Sequence, residues 1–353
     1  MFTGGIHPKF LYLYLMQEAL YFKQLDNLEV QCLLCPHRCK AEPDQYGKCR
    51  TRVNRGGKLF TESYGILSAI SSDPIEKKPL YHFQPGQNIL SLGSFGCNLS
   101  CDFCQNCEIS QIDQKIFARH STRDPEDIVN KATLLQNNIG LAYTYNEPTV
   151  YYEYMLSCAV LIKEYHLSNV MVTNGYINPE PLEELFPYMD AFNVDLKSFR
   201  NLFYVKRSGA SLHPVLESIR RIAKSGRHLE LTFLIIPDHN DDREEWKEMI
   251  NWISDNCGKE AILHVSRYYP YFKMDKPPTP LSTIKEFLEL ARDKIDYVYP
   301  GNTPQLDNHT SCPSCGTLLI ERFLYNTIIK GLGPGGICKN CKKEIVGDFK
   351  NLV

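Results

Sequence analysis

Gly96-Cys97-Asn98-Leu99-Ser100-Cys101-Asp102-Phe103-Cys104-Gln105-Asn106 places three cysteines in Cys-x3-Cys-x2-Cys order, directly behind the apolar run Ile89-Leu90-Ser91-Leu92, which reads as a strand. A loop this tight can bring three sulfurs to three neighbouring irons of one iron–sulfur cube, whereas a closed ferredoxin-type cluster takes four cysteines. Three protein ligands leave one iron open, and an open iron can chelate a small molecule through an amine and a carboxylate. Cys107 follows at a further Cys-x2-Cys step and opens other readings. It can complete a four-thiolate electron-transfer cluster, join a single structural zinc or remain an inert buried thiol. The spacing fits neither of the common ferredoxin runs, so the inert thiol is the preferred account.

With aromatic Phe103 just before its last cysteine, the motif resembles that of the radical SAM superfamily. Asp73-Pro74-Ile75-Glu76-Lys77-Lys78-Pro79-Leu80-Tyr81-His82-Phe83 and Thr144-Tyr145-Asn146-Glu147-Pro148-Thr149 resemble phrases of one branch, the AmmeMemoRadiSam system radical SAM enzymes, which are related to the pyruvate formate-lyase activating enzyme. The resemblance runs from about Cys32 to the C-terminus. It departs at Cys107, where that branch usually carries tryptophan. It implies a [4Fe–4S] cluster on Cys97, Cys101 and Cys104 with S-adenosylmethionine (SAM) on the open iron. Reductive cleavage of SAM would then give a 5′-deoxyadenosyl radical that abstracts hydrogen, with the hard chemistry carried by the cofactors. It also implies a protein substrate or partner of MEMO or AMMECR type and an external electron donor. Activation of a glycyl radical enzyme, or a non-enzymatic iron–sulfur or zinc-ribbon adaptor, are the alternatives.

Composition sets the outer bounds. At 353 residues and 43% hydrophobic content the chain can bury a sizeable α/β core with small modules beside it. A net charge of −2 argues against a protein built to grip nucleic acid. The run Phe10–Met16 is far shorter than a membrane span and lacks the marks of a signal peptide, so it reads as a first helix. Fourteen cysteines, mostly clustered, point to metal sites in a reducing compartment, hence to the cytoplasm. Cys158 and Cys257 stand alone on predicted helices and read as small buried hydrophobes.

Cys32, Cys35, Cys39 and Cys49 form the first cluster, in a segment bent by Pro36, Pro43 and Gly47 that cannot build a hydrophobic core. Such a segment needs a metal. Zinc is the default, and an auxiliary iron–sulfur cluster satisfies the same four thiolates. His37 reads as a solvent-facing loop residue, Lys77 and Lys78 as a solvated face, and Asn54-Arg55-Gly56-Gly57 as a hairpin turn.

From Asn88 apolar strand-like runs alternate with helical stretches. The runs are Ile89–Leu92, Leu141–Tyr145, Val170–Thr173, Ala191–Leu196, Leu229–Ile236 and Ile262–Ser266, with a further one at Tyr297–Tyr299. Alternation of this kind predicts a parallel sheet with helical crossovers, here a partial (β/α)6 barrel of radical SAM type over residues 61–300. Sites in such folds lie at the C-terminal ends of the strands. There the resemblance assigns cofactor roles. Asn146 and Glu147 stand where the superfamily often has Gly-Gly-Glu to support the SAM ammonium, unless Glu147 caps the helix after it. Asn174 is a turn residue or a ribose partner, Asp195 and Lys197 share an inward face, His264 lies at the cofactor, and Phe103 packs against adenine. The aromatic loop Tyr269–Pro278 reads as a substrate platform, lid or surface connection. Residues 301–353 carry Cys312, Cys315, Cys338 and Cys341 in two Cys-x2-Cys knuckles, a zinc-ribbon or rubredoxin-like module suited to docking a protein. Residues 1–60 hold the N-terminal helix and first cysteine module.

Overall fold

The computed structural model describes residues 16–352, so the helix expected over Phe10–Met16 lies outside the described residues except for its last position. The centre is one eight-stranded sheet whose spatial order follows the chain. Its strands are β1 (Ala69–Pro74), β2 (Asn88–Gly93), β3 (Asn138–Tyr143), β4 (Ser168–Thr173), β5 (Ala191–Asp195), β6 (His228–Ile235), β7 (Ile262–Arg267) and β8 (Tyr297–Gly301). From β2 to β8 every pairing is parallel. β1 is the exception, lying antiparallel on β2 as an edge that periodicity did not announce. β1 and β8 do not pair, so the barrel is open.

Six helices connect the parallel strands: α1 (Pro125–Leu134), α2 (Tyr152–Glu164), α3 (Pro179–Leu185), α4 (Leu212–Lys224), α5 (Arg243–Cys257) and α6 (Leu281–Arg292). The outward faces of the strands, such as Leu92, Tyr143, Phe192, Phe233 and Val265, pack with helix residues including Met155, Ile219, Trp246 and Phe287 in one cluster. That leaves the inward faces to line the barrel, and there alternate residues of β5, β6 and β7 are polar: Asn193 and Asp195, Glu230 and Thr232, His264 and Ser266. Cys158 is buried on α2 as expected, while Cys257, at the end of α5, is half-buried.

Two small modules flank the sheet. The N-terminal one holds the expected hairpin, Arg52–Arg55 against Lys58–Thr61, with Gly56 and Gly57 both at positive φ in its turn. A second three-stranded sheet there carries Cys32 on its middle strand. A buried Arg52–Glu153 ion pair fastens this module to α2. The C-terminal module pairs Leu318–Phe323 with Asn326–Ile329 and buries Leu319, Ile320 and Phe349 against Tyr81, Ile262 and Tyr299 of the barrel. Among the described residues no helix is long and apolar enough to cross a membrane.

Candidate functional site

The cysteine loop leaves the C-terminal end of β2, and its path is fixed by hydrogen bonds rather than by secondary structure. Asn146 holds both sides of the turn: its Oδ1 accepts from Ser94 N at 2.9 Å and its Nδ2 donates to Gly96 O at 2.9 Å. Gly96 has φ +90, and a Cβ there would lie 2.4 Å from Thr51 Cγ2 and 2.7 Å from Cys49 O. Only glycine lets the motif start against the N-terminal module. Further on, Ser100 N donates to Ser208 O at 2.9 Å, Cys101 Sγ donates to Ser208 Oγ at 3.3 Å, and Arg207 pairs with Asp102 at 3.0 Å.

Cys97, Cys101 and Cys104 all line one cavity of about 400 Å³ at the barrel mouth, a size suited to a small cofactor. Their sulfurs do not crowd together as around a single ion, which suits three thiolates bound to three separate irons. Burial pushes the Cys97 and Cys101 thiols up, so without positive charge from a metal both would stay protonated. Cys107 is half-buried, opens a short helix, Cys107–Ser110, and lies outside the cavity lining.

Of the cofactor candidates, six share that cavity with the cysteines: Phe103, Asn146, Glu147, Asn174, Asp195 and Lys197. Lys197 Nζ donates to Asp195 Oδ2 at 3.0 Å and stands 5.9 Å over the Phe103 ring. Burial works against the Lys197 ammonium, but Asp195 and the Cys101 sulfur more than offset it and hold its pKa above the usual lysine range. Asp195 keeps 39% of its side chain exposed, so it has capacity left for a ligand.

Glu147 is committed differently. Its Oε1 accepts from Thr149 N, Thr149 Oγ1 and Thr173 Oγ1, and its Oε2 from Asn174 N, all within 3.0 Å. The cap reading therefore holds geometrically, while the carboxylate still borders the cavity. Burial raises its pKa, and the four donors act against that rise. Asn174 forms an Asx-type turn through Oδ1 to Tyr176 N at 2.8 Å, and its Nδ2 donates to Asn98 Oδ1 at 2.9 Å, beside Cys97.

His264 is not brought to this site. It sits two residues below Ser266, the β7 residue that reaches the cavity, and donates through Nε2 to Glu230 Oε2 at 2.6 Å. Strand alternation placed it on the correct face but at the wrong height. Lys78 is the opposite case. Expected on a solvated face, it is buried in the cavity wall, bonded to Asp73 Oδ2 at 2.7 Å and 4.7 Å above the Tyr145 ring. Asp73 also accepts from Lys77 and Tyr145. Burial works to raise the Asp73 pKa, and these three donors more than offset it, holding the carboxyl well below the usual range. The antiparallel edge strand was the missing signal: Asp73 lies on β1, which extends the sheet, and Lys78, a few residues past the end of β1, pairs with it. His37 is likewise not at solvent, since it is half-buried with Nε2 2.7 Å from Asn98 O.

The two four-cysteine modules differ in geometry. Cys312, Cys315, Cys338 and Cys341 hold their sulfurs within 4.8 Å of one another, the one such group among the described residues. Cys32, Cys35, Cys39 and Cys49 instead line a separate small cavity together with Asn98 of the motif loop.

The sequence profile of the radical SAM superfamily matches residues 92–253. The uncharacterized protein MJ0808 of Methanocaldococcus jannaschii is 42% identical over 335 residues, 94% of this chain and 99% of that protein. The uncharacterized protein MJ0674 of the same organism is 22% identical over 285 residues, 77% of this chain and 78% of that protein. Among solved structures, a domain of a pyruvate-formate lyase-activating enzyme from Bacteroides vulgatus aligns at 16% identity and TM-score 0.41, over 46% of this chain and 98% of that one.

Proposed function

The chain belongs to the radical SAM superfamily, and from that premise we propose that it is an enzyme of the AmmeMemoRadiSam branch, acting on a substrate that is a protein or is presented by one. A [4Fe–4S] cluster with bound SAM supplies, on one-electron reduction, a 5′-deoxyadenosyl radical able to abstract hydrogen. Cys97, Cys101 and Cys104 would hold the cluster, with Ser208 and the Asn146 brace keeping their loop in place. Phe103 offers an aromatic face, and the Asp195–Lys197 pair sets opposite charges in the wall where a zwitterionic ligand would lie. The observation that carries this reading is the convergence of the three cysteines and that pair on one cavity at the strand ends.

A macromolecular substrate is favoured by the loop at the mouth. Tyr269, Tyr271 and Phe272 are each about 40% exposed, and Gln105 Nε2 to Tyr269 O (3.2 Å) and Lys273 N to Asp102 O (3.0 Å) tie that loop to the cysteine loop. Exposed aromatics at a rim suit a protein surface. MEMO-type and AMMECR-type proteins are the proposed partners, with a low-potential external electron donor and a cytoplasmic setting. The C-terminal tetrad, with Cys312–Cys341 and Cys315–Cys338 sulfurs at 3.5 and 3.8 Å, suits one tetrahedral zinc, whose 2.3 Å sulfur bonds set sulfurs about 3.8 Å apart.

Anaerobic protein given SAM and dithionite should release 5′-deoxyadenosine, and Cys101→Ala should lower that release by at least roughly a thousandfold, about 4 kcal/mol. Release that Cys101→Ala leaves unchanged would remove the cluster assignment, and none from the wild type would favour a non-enzymatic adaptor. A glycyl radical partner would announce itself as an electron-paramagnetic-resonance doublet, and its absence with every candidate partner would sink that alternative.

A further inference from the structure

We infer that Cys32, Cys35, Cys39 and Cys49 hold a second [4Fe–4S] cluster rather than a zinc ion. The C-terminal module provides the internal standard for a single metal ion: its sulfurs close to within 4.8 Å of one another. No three of the N-terminal sulfurs do so, although all four face one cavity. The centre of a water molecule can range over about 20 Å³ of that cavity. Adding a water radius all round makes the free space roughly 6 Å across, far wider than one ion bonded at about 2.3 Å to each sulfur. A cube of iron and sulfide, with one iron toward each thiolate, fills such a space and binds at its corners. All four corners are then taken, which leaves no open iron and sets this cluster apart from the one at the 97–104 loop.

The surroundings suit a buried anionic cluster. Leu34, Leu59 and Val150 give the cavity an apolar wall. Three donors aim at its sulfurs: Lys48 N at 3.4 Å from Cys39, Thr51 Oγ1 at 3.3 Å from Cys49, and Arg52 Nη1 at 3.5 Å from Cys32. Hydrogen bonds to cluster sulfurs tune iron–sulfur potentials, and the buried Arg52 guanidinium opposes the cluster's negative charge. Gly47 runs beside two of the ligands: a Cβ there would stand in ordinary van der Waals contact with the Cys39 and Cys49 sulfurs at 3.7 Å. Asn98 lines this cavity while its neighbour Cys97 lines the other, so one peptide unit of the motif separates the two cysteine sites.

The test uses the full chain with Cys97, Cys101 and Cys104 all changed to Ala, reconstituted anaerobically with iron and sulfide. It should retain about four irons and four acid-labile sulfides per chain, with one zinc, and show a reduced-cluster resonance after dithionite. Adding Cys35→Ala and Cys39→Ala should remove that iron and leave the zinc. Two zincs and no sulfide in the triple variant would overturn the inference, as would two irons and two sulfides. Should the five-fold variant not fold, wild-type protein decides instead: about eight irons and eight sulfides support a second cube, and about four overturn it.

Discussion

The two ends of the barrel are built from the same kind of residue and do opposite things. At the mouth, Asp195 and Lys197 pair with each other and still border open space. At the floor, Glu230 is fully enclosed and accepts from His82 N, Tyr81 N, His228 Nε2 and His264 Nε2 at 2.6–2.9 Å. Burial acts to raise the Glu230 pKa, and the two histidines overcome it, so the carboxylate stays ionised well below the usual range. The floor continues into the C-terminal module through a chain of donors. Arg322 Nη1 reaches Thr310 Oγ1, Thr310 and Tyr299 hydroxyls meet at 2.8 Å, Tyr299 OH lies 2.6 Å from His82 Nε2, and His82 Nδ1 donates to Val346 O. A charge with every acceptor position filled is a strut, whereas a charge with exposed capacity can meet a ligand.

That contrast is broken most severely at Glu230. Glu230→Gln puts an amide donor among donors and leaves His264 without its carboxylate, so stability should fall by about 3 kcal/mol or more. Denaturant unfolding of anaerobic protein measures it. SAM cleavage per folded molecule should stay within about twofold, because the substitution acts below the cavity. A large catalytic defect with unchanged stability would place Glu230 in the site instead.

Lys197→Met should show the reverse pattern. Removing the ammonium leaves Asp195 unpaired in the cavity wall and takes away a charge offered to SAM, so cleavage should fall on the order of a hundredfold, about 2.7 kcal/mol. Stability should change by no more than about 1 kcal/mol, since Asp195 remains 39% exposed and solvated. Equal effects on both measurements would mean that the mouth, like the floor, is mainly structural.

Acid should loosen the floor first. Burial pushes the His82 pKa down from 6.5 to about 3. Between those values the unfolded chain binds a proton that the native one lacks, so stability falls as pH drops from 6.5, by up to about 1.4 kcal/mol per unit. Glu230 adds a loss of the same sign at lower pH, beginning below its ordinary value near 4.5. His82→Gln should flatten the upper part of this slope, and a slope unchanged in that variant would assign the acid sensitivity elsewhere.

How far the sequence could foresee this division follows from what each signal encodes. Alternation of apolar runs and helical stretches located every parallel strand from β2 to β8, because both periods are imposed locally by the backbone. The cysteine loop was legible for the same reason: its chemistry lies within one short segment. Height along the barrel was not. His264 and Ser266 share a face, and only the stagger of neighbouring strands decides that one meets Glu230 and the other the cavity. Glu230 itself stood unmarked in the apolar strand-like run Leu229–Ile236, since its partners Tyr81 and His82 lie far away in sequence. Lys78 was missed because β1 joins the sheet from the opposite direction, outside the alternation that defined the barrel.

The smallest expected effect is also the sharpest test of that last point, because Lys77 and Lys78 are adjacent and both bond to Asp73. Lys77 also borders the cavity but is exposed, and solvent screens its charge, so Lys77→Ala should change stability by no more than about 0.5 kcal/mol and SAM affinity by less than about twofold. Lys78 is buried in the cavity wall. Burial lowers its pKa from 10.5 to about 8, with Asp73 opposing the change. Its positive charge therefore fades as pH rises through about 8, and an anionic group on the ligand loses an attraction it had at neutral pH. SAM affinity should weaken by roughly threefold between pH 7 and pH 9 in the wild type and in Lys77→Ala, and by less in Lys78→Met. The pH 7 affinity of Lys78→Met should already resemble the wild type at pH 9. If Lys77→Ala alters the pH profile and Lys78→Met does not, the charge that the cavity senses is the exposed one, and the mouth extends outward past β1 rather than inward from it.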